Sequence, residues 1–388
     1  MEKFRLVTPY LAVQLLCAAG AGIHSVVFPL FLLEAGYDES FLGFLASIGA
    51  VVTGGAGLIA PLLLRRLGFK ITLAAAVVTH CLVTVVQALL ATKLCLVVGN
   101  VASSLFGALV AVGHGPYLSS WGNSHVSQKL LSVSAASTTA VSTLGSLIGG
   151  RLPQLMGKLV PNLRAESIAA YRACLLGSGA LVGAAIYPAI LVQEQRSKRV
   201  RGHKETRLGT SFQWTLIASV VLGFGAGMVM PFMSAYWKKT YGASAVQVGA
   251  VTALTGLAVA LGASVAYPLA QLLGERIAIP LLLLASLPPL WAFFSLKRGM
   301  GVSVCLFALR TFLANATTPM RVGLHLQMAP PKGREWASSL DWLAWNVGWS
   351  LGSACGGYIA VSSGYGMLFR LCLGVYLGAA LLYGVALM

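Results

Sequence analysis

Acid is nearly missing from this chain: ten Asp and Glu stand among 388 residues, against 27 Lys and Arg, and charged residues of both signs reach only 10%. A soluble globular domain carries about 25%. With 57% hydrophobic residues and a mean hydropathy of +0.82, the chain cannot cover itself with polar groups. That excludes a soluble domain and makes lipid its solvent. Paired cysteines are also missing. Cys17, Cys81, Cys95, Cys174, Cys305, Cys355 and Cys372 all lie in apolar runs and none forms a CxxC pair, so neither a disulfide framework nor a zinc site is indicated. There is no P-loop, no HExxH and no nucleophile elbow, which removes ATP-driven transport within this chain and the commonest hydrolase chemistries. No enzymatic activity, metal or cofactor is expected. The net charge of +17 would point to nucleic acid in a soluble protein. In a membrane protein it marks basic loops on one side of the bilayer, and no nucleic-acid partner is expected.

What the chain does have is apolar length. A spanning helix needs about 20 mainly apolar residues, and the sequence offers twelve such stretches: 6–33, 41–64, 71–91, 94–119, 130–150, 168–193, 212–236, 244–273, 277–296, 301–321, 336–361 and 366–388. The opening "MEKFR" runs straight into the first of them without a small-residue cleavage site, so it reads as a spanning helix and not as a removed signal peptide. The longest polar stretch, "EQRSKRVRGHKETRLGTS" from Glu194, divides the chain into an N-terminal six-helix bundle (1–193), a basic linker (194–211) and a C-terminal six-helix bundle (212–388). Loops on the N-terminal side hold 16 Lys and Arg, including Arg65, Arg66, Lys70 and Arg321, against 8 on the other side. Positive loops stay inside, so both termini are expected in the cytoplasm, in a plasma (inner) membrane protein. The cations of "APLLLRRLGFKITL", between two charge-free runs, then mark a tight cytoplasmic turn.

The halves repeat. "LGSLIGG" begins at Leu144 and "LGSACGG" at Leu351, an offset of 207 shared by Pro61 and Pro268; Gly43 and Gly249 differ by 206, as do Gly68 and Gly274. Pro29 and Pro231, and Pro116 and Pro319, follow at 202 and 203. An even number of spans separates the repeats, so both share one orientation about an axis along the membrane normal. With twelve spans, a 6+6 repeat and a basic central loop, the chain resembles the major facilitator superfamily over essentially its whole length. That family's loop between spans two and three reads roughly G-x-x-x-D-R-x-G-x-K. Arg66, Gly68 and Lys70 occupy the frame, while Pro61 stands at its first glycine and Arg65 at its aspartate. "YPLAQLLGER" from Tyr267 is a partial echo in the second half. The resemblance implies an all-α fold of two pseudo-symmetric bundles, a rocker-switch transporter, and a cavity lined by spans one, four, seven and ten.

Ionisable groups inside a membrane are functional candidates by default. Arg310 lies about nine residues, or roughly 13 Å, from the outer end of span ten, near the midplane. It either binds an anionic group of the substrate, pairs with a gating acid, or is held structurally. Asp341, the one acid well inside a span, is a proton site, a gate partner of Arg310 or Arg321, or a helix-start residue. His24 and His114 fall on implied cavity spans, where imidazole contacts substrate, exchanges protons or packs. Gln14 and Asn315 bond either substrate or a neighbouring helix. Trp342, Trp345 and Trp349 share one helical face, lining a cavity or packing, with Asn346 beside them. Gly145, Gly149, Gly348 and Gly352 are contact surfaces for helices that move. Together with Arg65, Arg66, Gly68 and Lys70 they form the expected gating set.

These residues favour a secondary transporter for a small organic solute, anionic or zwitterionic, acting as a monomer in the lipid bilayer, with protons as the candidate coupling ion. Two alternatives stand beside it. One is multidrug efflux of hydrophobic compounds, suggested by the aromatic lining, although "LGSLIGGRL" lacks the Gly-Pro step common in drug antiporters. The other is a non-transporting receptor or scaffold, which would need longer extramembrane segments than this sequence has.

Overall fold

The computed structural model describes residues 2–121, 124–161, 163–194, 209–296, 299–329 and 334–387. Most of the expected linker, 195–208, lies outside them. Among the described residues there is no strand. The helices group into twelve segments: α1 (Glu2–Glu34), α2 (Glu39–Leu67), α3 (Phe69–Leu90), α4 (Lys93–Ser119), α5 (Ser124–Leu159), α6 (Ile168–Leu191), α7 (Thr210–Tyr241), α8 (Ala245–Leu273), α9 (Glu275–Ser295), α10 (Met300–Met328), α11 (Arg334–Ser362) and α12 (Gly364–Leu387). Three are interrupted where proline removes a backbone donor and crowds the carbonyl four residues back. Pro188 lies four residues after Ala184, where the first part of α6 ends. Pro289 lies four after Ala285, where the first part of α9 ends. Pro231 sits in a 3₁₀ turn, Met230–Phe232, that splits α7.

Eleven of the twelve are long and apolar enough to cross a bilayer. The remaining one, α11, has 29 residues and dilutes its apolar run with Asp341, Asn346 and serines. Large apolar side chains stand exposed on the helices, Leu94 at 72% and Leu272 at 79% among them, as expected where the solvent is hydrocarbon. Two boundaries differ most from the sequence reading. The fifth span was expected to end at 150, but α5 continues to Leu159, so Arg151 and Lys158 are helix residues and not loop cations. The tenth span was expected to end at 321, but α10 continues to Met328, so Arg321 is a helix residue, 5% exposed, and not a loop cation.

Contacts divide the chain into two compact units: Met1–Tyr37, Gly55–Val200 and Trp237–Ala253; and Asp38–Gly54, Arg201–Tyr236 and Leu254–Met388. In the first, α1 packs on α5 and α6, and α3 on α4 and α6. Lys238 lies 3.7 Å from Glu166 and 4.0 Å from Glu34, and the other oxygen of Glu166 accepts from Ala245 N at the start of α8, at 2.9 Å. In the second unit, α7 packs on α11 and α12, and α9 on α10 and α12.

The repeat is built from backbone contact. A Cβ on Gly145 would collide with the carbonyl oxygen of Ala19 on α1, and one on Gly149 with Ile23. At the offset of 207, a Cβ on Gly352 would collide with Phe224 O on α7, and one on Gly356 with Met228 O. Gly348 meets Val220 O in the same way. The next glycine of each repeat does likewise: Gly150 abuts Ala245 and Gly249 in the first unit, and Gly357 abuts Glu39 and Gly43 in the second. Gly68 and Gly274 hold matching backbones, φ 81° with ψ 158° and φ 74° with ψ 145°, a region open essentially to glycine alone.

Gly352→Leu forces α7 and α11 apart, and overpacking of this kind costs about 1–3 kcal/mol or more. Thermal unfolding in detergent is expected to shift down relative to wild type. A variant as stable as wild type would mean that the close approach is dispensable.

Candidate functional site

Each unit carries a buried polar cluster. In the first, α1, α4 and α5 bring together Tyr10, Gln14, His114 and Ser134. Gln14 Nε2 lies 2.6 Å from Tyr10 Oη and 2.9 Å from His114 Nδ1. Tyr10 Oη is 2.7 Å from the same Nδ1, and Ser134 Oγ donates to Gln14 Oε1 at 2.6 Å. Aromatic rings wall this network: Tyr117 lies 4.7 Å from Tyr10 and 4.6 Å from Phe69, centroid to centroid. Gln14 and His114, both read as candidates from sequence, therefore belong to one constellation. His24 does not. Its ring stacks on Phe28 at 4.6 Å and lies 6.1 Å from His80.

In the second unit the charged side chains line up along α10. Arg310 is 1% exposed. Its guanidinium carbon lies 4.3 Å from the centre of the Tyr376 ring on α12, a cation–π contact. Its Nε and Nη2 have no hydrogen-bond partner, and neither has Oγ1 of the adjacent Thr311. Among the described residues no carboxylate pairs with it. Arg321 stands eleven residues further along. Three turns of helix at 100° per residue return it to nearly the same face, about 16 Å away. Its surroundings differ. Nη1 donates to Tyr383 Oη at 3.4 Å, and the guanidinium lies 5.1 Å from the Trp345 ring. Tyr383 Oη is 2.8 Å from Ser219 Oγ, which donates to Asp341 Oδ1 at 2.8 Å. Because the serine proton is committed to the carboxylate, the tyrosine must donate to the serine. The bonds then run in one direction, Arg321 to Tyr383 to Ser219 to Asp341. His325 Nδ1 lies 3.1 Å from Asp341 Oδ1, with the imidazole 1% exposed.

Asp341 is thus joined to His325 and, through two hydroxyls, to Arg321, and not to Arg310. Asn315 and Asn346 each bond to their own helix, to Thr311 O at 2.9 Å and Trp342 O at 2.8 Å, which leaves one amide oxygen apiece. Trp345 packs against Trp349 at 6.1 Å as well as facing Arg321. Sequence reasoning missed His325, Tyr383, Tyr376, Ser219, Tyr10 and Ser134. The recoverable signals were i, i+4 spacings: Tyr10 with Gln14, and Arg321 with His325. The tyrosines and serines left no signal, because they do not interrupt an apolar run.

The turn between α2 and α3 has its own acid. Arg65 and Arg66 end α2 on exposed positions, Gly68 makes the turn, and Lys70 opens α3. Where the related loop has aspartate this chain has Arg65. A carboxylate arrives instead from beyond α6: Glu194 accepts from Phe69 N at 2.9 Å and Lys70 N at 2.8 Å. It caps two of the four donors a helix start leaves unpaired and opposes the positive end of the helix dipole.

A family model described as Major Facilitator Superfamily matches residues 215–388. A bacterial homolog of the human lysosomal transporter Spinster, inward-facing and unoccupied, superposes with a TM-score of 0.80 at 14% identity, over 99% of this chain and 97% of that one. The nucleoside transporter NupG gives 0.77 at 12% identity over 99% and 98%. A D-xylose–proton symporter gives 0.70 at 15% over 97% and 96%. At such identities the likeness is one of fold. No curated protein matches the chain in sequence. The chain is a multi-span α-helical membrane protein. Its residues 215–388 match the Major Facilitator Superfamily model, and its fold is similar to those of these three transporters.

Glu194→Gln keeps the shape but removes the anion from the start of α3. The expected cost is about 1 kcal/mol, read as faster amide hydrogen exchange at Phe69 and Lys70. Exchange as slow as in wild type would assign the capping elsewhere.

Proposed function

We propose that the protein is a secondary active transporter that carries a small organic anion, or a zwitterion through its acidic group, by rocker-switch alternating access. The observation that carries this reading is Arg310: a permanent cation deep in an apolar helix pack, stacked on one ring, with two guanidinium nitrogens and a neighbouring hydroxyl unpartnered. An unpaired buried charge is costly, and Nε and Nη2 form one edge of the guanidinium, which suits bidentate binding of an oxyanion. Cationic cargo finds no such partner there, which sets this reading above efflux of hydrophobic cations.

Proton coupling belongs to the same proposal and is assigned to Asp341 with His325. A carboxylate 3.1 Å from an imidazole whose ring nitrogens have no hydrogen-bond partner favours an imidazolium there by charge. The two six-helix bundles, 1–193 and 212–388, are taken as the moving bodies, with Gly145, Gly149, Gly348 and Gly352 at their internal helix contacts. The charge count of the loops supports cytoplasmic termini in a plasma membrane, and the protein is read as a monomer.

A thermal-shift panel of metabolites on purified protein identifies ligands by mass action. Counterflow in proteoliposomes then compares radiolabelled lactate, gluconate and glutamate with tetraphenylphosphonium. Saturable uptake of an anion is expected. Arg310→Ala is expected to cost about 2 kcal/mol or more of binding, upward of roughly thirtyfold in apparent affinity. Tetraphenylphosphonium transport indifferent to Arg310→Ala would replace this reading with cation efflux.

For coupling, Asp341→Asn and His325→Gln are each expected to flatten the dependence of uptake on external pH. A profile unchanged in both would leave the pair a structural role.

A further inference from the structure

We infer that His114 is held as a neutral imidazole with its proton on Nε2. It is a pre-set hydrogen-bond donor for a carbonyl, carboxylate or hydroxyl oxygen of the solute, and not a proton carrier. Tyr10, Gln14 and Ser134 are the positioning residues that fix this state. The inference rests on the transporter reading for its ligand, but not for its chemistry.

Tyr10 Oη, Gln14 Nε2 and His114 Nδ1 form a triangle with sides of 2.6, 2.7 and 2.9 Å. The Gln14 amide is oriented by its other bonds: Nε2 donates to Tyr10 Oη, and Oε1 accepts from Ser134 Oγ at 2.6 Å. The amide N–H₂ therefore lies on the imidazole side, and a nitrogen that only donates stands 2.9 Å from Nδ1. An N–H on Nδ1 would meet it hydrogen to hydrogen, so Nδ1 is bare, and its one lone pair accepts from this pair of donors. A neutral imidazole with a bare Nδ1 carries its hydrogen on Nε2.

That Nε2–H is unused. Among the described residues no group accepts from it, and the half-buried ring leaves it outside the set of enclosed unpartnered atoms. The groups around the ring give no reason for it to charge. Gln14 and Tyr10 face it from α1, Tyr117 shares its helix, Phe69 on α3 packs behind Tyr10 at 5.5 Å, and Ser134 on α5 acts through Gln14. No carboxylate pairs with it among the described residues. Gln14 has both amide hydrogens and its oxygen committed, so it serves the imidazole and not the solute. The two units therefore differ in chemistry: a fixed neutral donor in the first, a fixed cation and a carboxylate–imidazole pair in the second.

The test is ¹⁵N NMR of the full-length, histidine-labelled protein in detergent. The chain has six histidines, and the signal lost in His114→Gln identifies this one. In wild type at about pH 7, the range in which histidine ordinarily changes charge, His114 is expected to show a protonated Nε2 and a bare Nδ1. The Tyr10→Phe, Gln14→Leu double variant is expected to show a mixture of tautomers. An Nδ1–H tautomer or an imidazolium in wild type would overturn the inference, and an unmixed tautomer in the double variant would remove the positioning roles. Counterflow of lactate, gluconate or glutamate supplies the ligand arm. His114→Leu is expected to fall about tenfold or more below His114→Gln, whose amide N–H keeps a donor at similar reach, and equal rates would overturn the donor role. The NMR result stands whether or not any of these anions is carried, so a failure of the transport reading and a failure of this one are told apart.

Discussion

The structure depends on one interaction, backbone against backbone at glycine. In hydrocarbon, helices gain nothing from burying apolar surface against each other, so association rests on close packing and on polar contacts. The chain uses glycine on both partners. Gly348, Gly352 and Gly356 admit the carbonyls of α7, while Gly223 and Gly227 on α7 admit the backbone of Trp345 and Trp349. The first unit does the same with Gly22 on α1 and Gly145 on α5. Each side chain withheld from the seam brings two helix axes closer. Polar side chains elsewhere on the same helices are thereby placed within bonding reach: Ser219 on α7 reaches Asp341 on α11, and Gln14 on α1 reaches Ser134 on α5. The glycine seams fix the geometry of both polar clusters.

Those seams explain why the repeat was visible in the sequence and the clusters were not. A glycine required by backbone contact leaves no freedom for substitution, so "LGSLIGG" and "LGSACGG" persist at an offset of 207. The polar clusters repeat at one position only, and with different chemistry. At that offset His114 meets Arg321, while Tyr10 and Gln14 meet Ile217 and Val221. The halves share a scaffold and differ in the polar groups they carry.

The spans could be read because lipid demands long apolar runs, and eleven helices meet that demand outright. The end of the tenth span misled for a physical reason. A positive charge normally stops a span, but α10 carries Arg321 inward because Tyr383, Trp345 and the Asp341 chain receive it. No local pattern reveals partners that come from three other helices. The same limit applies to His114. Its residue type was visible, yet the tautomer that decides its chemistry is set by Tyr10 and Gln14, about a hundred residues earlier. The acid at the α2–α3 turn shows the point in reverse. Its absence at Arg65 was plain in the sequence, but its replacement by Glu194 could be found only in space.

Arg310 and Arg321 make a comparison within one helix. They have the same side chain, nearly the same face, and are both almost fully buried. Arg321 ends a chain of hydroxyls that terminates on a carboxylate, and one of its nitrogens, Nε, has no hydrogen-bond partner. Arg310 has Tyr376, by the ring face at 4.3 Å and by a side-chain hydrogen bond, and two of its nitrogens have no partner. A cation–π contact gives a desolvated cation about 2 kcal/mol or more, while an uncompensated buried charge costs several kcal/mol. Both arginines carry part of that cost, but only Arg321 is connected to a carboxylate. The larger deficit lies at Arg310, which is why the proposal places the anion there and leaves Arg321 beside Asp341 and His325.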